Sequence, residues 1–312
     1  MKILFILDPL TSLKAYKDTS LAIMREAAKR GHELYVCEQH DVFLLQEKVQ
    51  ISTHKFGFKD AEIYDELGDK QTLKPKDFTV IINRKDPPFD NEYLYLTYLL
   101  ELVVNQGGTV LNNPQSVRDW NEKLAVTNFP QFTPEFLVTA KEDLIREFIK
   151  KYQDIVIKPL DGMGGSGIFR LKMDDPNLGV ILETATQFGA KTIMAQRYLP
   201  AILEGDKRII VIDGKPLDYA LARIPKAGET RGNLAAGGTG VAQLLTEKDR
   251  EIAEIIGITL KQKGLFLVGL DVIGEHLTEI NVTSPTGMVE IAKQTNCKPE
   301  GILMDALEAY VR

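Results

Sequence analysis

The sequence predicts an α/β domain followed by an α+β body, and three observations carry that reading. The first forty residues run apolar strand, amphipathic helix, apolar strand. Residues 154–173 read as strand, lysine, glycine-crowded turn, strand. The last third holds two strand pairs, a long glycine-rich loop and a helix.

The elements follow in order. Residues 3–7 are a buried strand; Asp18-Thr19-Ser20 offers helix caps, and Leu21, Met24, Ala27 and Ala28 recur at helical spacing until Gly31. Residues 33–37 are a second strand, so the opening is a βαβ unit with a right-handed crossover and a parallel sheet. Its first turn lacks the glycine fingerprint of a dinucleotide site. A strand over 78–83 ends in Arg84-Lys85-Asp86-Pro87-Pro88-Phe89-Asp90, a polar cluster at the carboxyl end of a parallel strand, where ligands are expected. A helix over 92–105 and a strand over 109–112 complete a domain reaching to about residue 120.

Thr139-Ala140-Lys141-Glu142 spells a capping box ahead of Leu144, Ile145, Phe148 and Ile149 on one helical face. Strands over 154–160, 168–173 and 192–199 and a helix over 178–188 make a compact unit. Strands over 206–212 and 217–224 flank Asp213-Gly214, a hairpin turn signal. Residues 225–240 form a loop long enough to be a lid. A helix spans 246–263, and strands over 264–273 and 277–282 form a second hairpin.

The glycine turn is the chemical signature. Gly162, Gly164 and Gly167 spell G-x-G-x-x-G, but a strand pattern follows where a dinucleotide fold needs a helix. A Walker A loop would need Gly-Lys-Ser/Thr, which is absent, and a kinase lysine follows its loop rather than preceding it. Glycines let backbone N–H groups close around a phosphate, and Lys158 adds charge. The pattern points to a nucleoside triphosphate site; a ligand-free glycine hairpin is the bland alternative.

Bulk properties set limits. Thirty-eight Lys+Arg against 44 Asp+Glu give a net charge of −6, which disfavours a nucleic-acid partner. The chain is 44% apolar and 26% charged, as expected of a water-soluble globular protein. Cys37 and Cys297 are too few for a disulfide framework and imply a reducing cytoplasm. The apolar N-terminal run is too short for a signal segment or a membrane span. His32, His40, His54 and His276 show no metal spacing.

A three-residue loop over 274–276 would place Asp271 opposite Glu279, with Asn281 on the same face by strand alternation. Three oxygen donors on a rigid sheet suit Mg²⁺ held jointly with phosphates. A two-residue loop would send Asp271 to the other face.

The order Lys123, Lys158 with its glycine loop, Gln196-Arg197-Tyr198-Leu199, Arg223, Asp271 and Glu279-Ile280-Asn281 resembles the ATP-grasp fold. The stretches 84–90, 158–165, 229–238 (Glu-Thr-Arg-Gly-Asn-Leu-Ala-Ala-Gly-Gly) and 278–285 are similar to motifs of the prokaryotic-type glutathione synthetases, and the likeness covers essentially the whole chain. The resemblance implies a pre-ATP-grasp substrate domain over 1–120, a small ATP-grasp lobe over 121–200 and a C-terminal lobe over 201–312. It implies an ATP-dependent carboxylate–amine ligase joining γ-glutamylcysteine to glycine through an acyl phosphate.

The resemblance also distributes roles. ATP falls to Lys123, Lys158, Gly162, Gly164, Gly165, Ser166 and Gly167 for phosphates, Gln196, Tyr198 and Leu199 for adenine, and Asp206 for ribose. Mg²⁺ (or Mn²⁺) falls to Asp271, Glu279 and Asn281. Arg223 and Arg231 stabilise developing charge, and Arg84, Asp86, Asn233 and Ser284 take the dipeptide. A cytoplasmic homotetramer is implied, with no membrane or nucleic-acid partner. An acyl phosphate hydrolyses in water, so residues 224–240 and 162–167 are expected to close over ATP. Other ATP-grasp ligases, such as D-alanine–D-alanine ligase or a ribosomal-protein glutamate ligase, share the ATP half; a synapsin-like regulator would lack turnover.

Overall fold

The computed structural model describes residues 1–59, 67–234 and 237–312. Strand β1 (Lys2–Ile6), helix α1 (Thr19–Lys29) and strand β2 (Glu33–Cys37) form the expected parallel unit. Asp18 caps α1, accepting from Leu21 N at 2.8 Å. The chain then adds an antiparallel edge: β3 (Val42–Leu45), β4 (Lys48–Phe56) and β5 (Gln71–Leu73). Strand β6 (Val80–Asn83), α2 (Asn91–Asn105), β7 (Val110–Leu111) and α3 (Pro114–Asp119) return to the parallel part. The order is β3-β4-β2-β1-β6-β7, with β5 beside β4. The sheet is therefore mixed rather than purely parallel. In β4, Val49, Ile51 and Thr53 are buried in alternation, which suits an antiparallel strand with one wet face.

The second unit contains β8 (Phe136–Thr139), α4 (Glu142–Tyr152), β9 (Asp154–Pro159), β10 (Phe169–Lys172), α5 (Leu178–Thr186) and β11 (Ile193–Arg197). Its antiparallel order is β10-β9-β11-β8, and both helices pack on the sheet through Ile145, Ile149, Leu178 and Leu182. The expected capping box does not form. Thr139 pairs with Ile193 as the last residue of β8, so Lys141 takes the N-cap position of α4 with no side-chain cap.

The third sheet runs β14-β13-β12-β15-β16. Its strands are β12 (Asp206–Ile212), β13 (Lys215–Ile224) and β14 (Thr239–Leu244), then, after α6 (Glu247–Gln262), β15 (Leu267–Ile273) and β16 (His276–Asn281). The Asp213-Gly214 turn forms with φ of 47° and 79°, as a two-residue hairpin of this composition requires. Helices α7 (Met288–Gln294) and α8 (Pro299–Tyr310) end the chain. They bury Leu303, Met304 and Leu307 in one core with Leu21 and Met24 of α1, so the chain's end packs against its beginning.

The β15–β16 hairpin departs from expectation. Its turn has two residues, Gly274 and Glu275, with Ile273 opposite His276. An irregularity then skips Thr278, so that Val272 faces Leu277 while Asp271 faces Glu279. A short turn alone would have rotated Asp271 to the far face; the bulge restores it. The Thr278 hydroxyl donates to Asp271 O at 3.1 Å at that step.

Candidate active site

The carboxyl end of β9, the linker at 121–123 and the inner face of the third sheet enclose a cleft of about 850 Å³. Gly162, Met163, Gly164, Gly165 and Ser166 form one wall, Gln196–Leu199 another, and Thr230–Asn233 the cover. The loop turns through positive φ at Gly164 (63°), Gly165 (82°) and Gly167 (71°), conformations that glycine alone adopts without strain. Gly167 shapes the turn but is not in the wall.

Two buried lysines cross the cleft floor. Lys123 Nζ donates to Gly162 O at 2.6 Å and lies 3.8 Å from Glu279 Oε2. Lys158 Nζ donates to Thr278 O at 3.0 Å and lies 3.6 Å from Glu279 Oε1. Burial pushes Lys158 below the ordinary lysine range. Burial also acts on Lys123, but Glu279 and Glu122 outweigh it and leave that ammonium raised. Glu279 thus sits between two cations that a triphosphate could take over.

A second layer lies beneath. Arg208 Nε and Nη2 donate to the two Asp271 oxygens at 2.5 and 3.0 Å, and Arg223 Nη2 lies 2.8 Å from Asp271 Oδ2. Arg223 also pairs with Asp206. Burial would raise Asp271, but the two guanidiniums overcome it and hold the carboxyl well below the usual range. Asp206 has a share in one arginine, and its Oδ1 is buried without a partner. Burial therefore wins there and pushes it up to about 7. Asn281 Nδ2 donates to Gly269 O at 3.2 Å, fixing the amide on the same face as Glu279.

At the Gln196–Leu199 wall, the Gln196 Nε2 is buried without a partner. The Tyr198 ring is covered by the Arg170 guanidinium at 3.6 Å, and Asp154 holds that guanidinium through two bonds of 2.9 and 2.6 Å.

An adjoining cavity of about 810 Å³ is lined by Asp86, Arg208, Arg223, Asn233, Asn281 and Ser284, among others. Lys123, Met163, Gly164, Asn233 and Glu279 line both spaces. Burial raises the Asp86 carboxyl, against Ser284 and Arg84, which pull it down. Arg84 lies behind this wall. Its Nε donates to Ser20 Oγ at 3.0 Å and its Nη2 to Pro285 O at 2.9 Å, while Nη1 is buried without a partner.

The 224–240 segment meets the glycine loop. Arg231 Nη1 donates to Gly165 O at 3.3 Å, and its Nη2 pairs with Glu229 at 2.6 Å. Ala235 and Ala236 of the expected lid lie outside the described residues. A Cβ on Gly165 would stand 2.7 Å from Asn233 Oδ1 and 3.1 Å from Arg231 Cδ, at a φ of +82°. The Gly165→Ala variant is therefore expected to separate the two loops and raise the KM for nucleotide about tenfold, the equivalent of ~1–2 kcal/mol of backbone strain. Steady-state titration checks this, and an unchanged KM would detach the loop contact from nucleotide binding.

Sequence reasoning missed Arg208, Arg170 and Glu122. Arg208 was readable, since strand alternation puts it on the same face as Asp206. Arg170 acts through Asp154, a partner across the β9–β10 ladder that only the register reveals.

Oxygen donors suit a hard cation here: Asp271, Glu279 and Asn281 share one face, and the two lysines now on Glu279 are cations that a triphosphate would attract. Among the described residues, no group of three His, Cys, Asp or Glu could hold a metal, so the expected set depends on the amide of Asn281 as its third donor.

Comparison with known proteins gives consistent results. Residues 1–118 match the prokaryotic glutathione synthetase N-terminal domain, and residues 122–296 match the prokaryotic glutathione synthetase ATP-grasp domain. The chain is 57% identical to the glutathione synthetase of Nitrosomonas europaea, covering 100% of this chain and 98% of the relative. It is 50% identical to that of Escherichia coli K12, covering 100% and 99%. Among solved structures, the D-cycloserine synthetase DcsG superposes with a TM-score of 0.69 at 14% identity, over 99% of this chain and 100% of that one. The RimK domain ATP-grasp protein of Sphaerobacter thermophilus gives 0.64 at 16%, over 98% and 99%. Both show a shared fold.

Proposed function

The chain belongs to the prokaryotic glutathione synthetase family, and on that premise we propose how its two adjoining cavities carry out the ligation. It is an ATP-dependent carboxylate–amine ligase that forms glutathione. The observation that carries the reading is the shared wall: Lys123, Gly164, Asn233 and Glu279 face both the cleft and the acceptor cavity, so a γ-phosphate in one meets a carboxylate in the other.

ATP lies in the cleft, with adenine at Gln196–Leu199, ribose at Asp206 and phosphates at Lys123, Lys158 and the backbone of 162–167. γ-Glutamylcysteine lies in the acceptor cavity against Asp86, Asn233 and Ser284, whose loop Arg84 braces through Pro285. The dipeptide's glycyl-accepting carboxylate attacks the γ-phosphorus, giving an acyl phosphate and ADP. Glycine's nitrogen then attacks the acyl carbon, and phosphate leaves with the bonding pair. Mg²⁺ on Asp271, Glu279 and Asn281 would neutralise charge on the transferring phosphoryl group. Arg223, aimed from the sheet, and Arg231, from the loop, stabilise the phosphate and the tetrahedral oxyanion. The expected lid, 224–240, would exclude water from the acyl phosphate.

Phosphate release from ATP tests this, with γ-glutamylcysteine, glycine, D-alanine pairs and each substrate alone. Release requiring both γ-glutamylcysteine and glycine, with glutathione seen by mass, is expected. Release with another pair overturns the substrates, and none with any pair overturns the ligase reading.

Asp206 gives a pH signature. Its raised carboxyl contributes stability that is complete below its unfolded value near 3.8 and is lost as pH rises through about 7. A ribose hydroxyl prefers the ionised acceptor, so ATP should protect against heat more strongly at pH 8 than at pH 6. Asp206→Asn should flatten that difference; an unaltered profile would trace it to the nucleotide's own titration.

Domain limits of 1–120, 121–200 and 201–312 remain the reading, and the separation of the strands into three sheets supports it. A cytoplasmic homotetramer is the assembly that the likeness suggests, and free Cys37 and Cys297 suit a reducing compartment. No helix among the described residues is long and apolar enough to cross a membrane. Sedimentation measures the oligomer.

A further inference from the structure

Three consecutive residues of the linker between the first two units tie the ATP cleft to the acceptor cavity. Asn121 Nδ2 donates to Leu160 O at 2.9 Å, at the start of the glycine turn. Asn121 Oδ1 accepts from Lys123 N and Leu124 N, both at 3.1 Å. Lys123 Nζ donates to Gly162 O at 2.6 Å. Glu122, between them, bonds in the other direction, to the end of β16 and the loop that follows. Its carbonyl accepts from Ile280 N at 2.9 Å. Its Oε1 accepts from Val282 N at 3.1 Å, Thr283 N at 3.3 Å and Thr283 Oγ1 at 2.8 Å. Its Oε2 is ion-paired with Lys123 Nζ at 3.9 Å.

β16 ends at Asn281, and the N–H groups of the next two residues go to the Glu122 carboxylate instead of to a strand. Val282 and Thr283 are both buried, and a buried donor left without an acceptor costs more than its hydrogen bond returns. One carboxylate oxygen therefore decides where this loop sits. The Val282 carbonyl is held from the opposite side by Asn112 Nδ2 at 2.8 Å. Ser284, next in the chain, donates to Arg84 O at 3.2 Å and lines the acceptor cavity together with Lys123 and Glu279.

We propose that Glu122 is a positioning residue that fixes the separation between the γ-phosphate held at Lys123 and the dipeptide carboxylate held beside the 283–285 loop. It acts through Lys123 and the loop rather than on either reactant. The inference rests on the ligase reading and deepens it. The first step is an in-line attack by a carboxylate in one cavity on a phosphorus in the other. A misplacement of about 1 Å costs such a step on the order of a hundredfold. One residue spans that separation: the backbone of Glu122 leads directly into Lys123, and its side chain carries the loop. A carboxylate that only satisfied buried donors would set the stability of the fold and leave turnover by folded molecules intact. A spacer between two substrates sets the turnover itself.

The measurement is kcat per folded site, with sites counted by calorimetric titration of ADP and Mg²⁺. Glu122→Ala should lower it by about thirtyfold or more, while ADP and γ-glutamylcysteine, each titrated alone, bind within about threefold of the parent. Glu122→Gln keeps an oxygen for the three donors and should recover about fivefold or more of that loss. Thr283→Val removes the hydroxyl from the same oxygen and should cost about tenfold in the parent and nothing further in the Glu122→Ala background, because the two side chains act through one bond. Additive losses would overturn the proposal. So would an unchanged kcat per site with a lowered melting temperature, which is the behaviour of a fold brace. Weakened binding of one ligand that accounts for the whole loss would make Glu122 a support of that site alone, and would overturn it too. If Glu122→Ala fails to fold, Thr283→Val carries the test, and an unchanged kcat per site in that variant overturns the proposal. The parent enzyme is the control: if it makes no glutathione from the two substrates, the ligase reading itself has failed, and not this residue's role alone.

Discussion

Asp271→Asn is expected to lower kcat at least a thousandfold and to remove about 3 kcal/mol of stability, because on the proposed metal set one side chain serves two structures. Its carboxylate is 2% exposed and carries Arg208 on both oxygens and Arg223 on one. The amide cannot balance two buried guanidiniums, and removing one partner of a buried pair leaves the other's desolvation uncompensated. The chemistry is lost for a separate reason: an amide is a weaker ligand for a hard cation than a carboxylate. Glu279→Gln separates the two effects. Glu279 has 18% of its side chain exposed and only looser lysine partners, at 3.8 and 3.6 Å. It should lose comparable activity with little change in the melting temperature. Calorimetry and kcat on both variants decide the matter; Asp271→Asn retaining activity within tenfold of the parent would remove Asp271 from the metal site. The pH sign agrees. Asp271 is held below the usual carboxylate range by Arg208 and Arg223, so its stabilisation is present above the unfolded value and is lost only in acid stronger than that range.

How far this site was legible depends on where its information sits in the chain. The glycine loop is local: Lys158 and Gly162–Gly167 are consecutive on β9 and its turn, and their conformation follows from glycine's freedom at positive φ. The βαβ opening was equally local, fixed by period and caps. The Asp271–Glu279 pairing was reached by a three-residue turn that does not exist. The true turn has two residues, and the bulge at Thr278 compensates; a bulge leaves no mark in hydrophobic alternation, since Thr278 is itself buried. Thr139 shows the opposite failure. Its capping-box spelling was sound, but pairing with Ile193 claimed it for the sheet. Helices α7 and α8 pack against α1, near the far end of the chain, through contacts that no local window contains. Glu122 looked like one more charged linker residue, because its three donors lie some 160 positions away.

Arg223→Lys should reduce kcat a hundred- to a thousandfold while preserving the charge, a loss of about 3–4 kcal/mol of transition-state stabilisation. In the resting site the guanidinium is held on one side: Nη2 faces Asp206 and Asp271 together, and Nε reaches Asp206 O at 3.3 Å. Register explains the position, since Asp206 and Arg223 are directly opposed on β12 and β13, and Asp271 is opposite Arg208 on the neighbouring ladder. Four charged side chains thus form an alternating row across three strands, the two arginines lining the acceptor cavity and the two aspartates the adjoining cleft. Lysine is a single point of charge and cannot span two carboxylates with a fixed fork. Asp206, already raised to about 7 because burial outweighs Arg223, would move further up, and ATP affinity near neutral pH would fall with it. The kcat loss should then exceed the change in γ-glutamylcysteine KM, the mark of an interaction made mainly in the transition state. Steady-state kinetics with each substrate varied supplies the ratio. A rise in dipeptide KM at unchanged kcat would instead make Arg223 a ground-state anchor, and the oxyanion would then have to be met by Arg208, whose Nε and Nη2 lie on Asp271 beneath the same cavity.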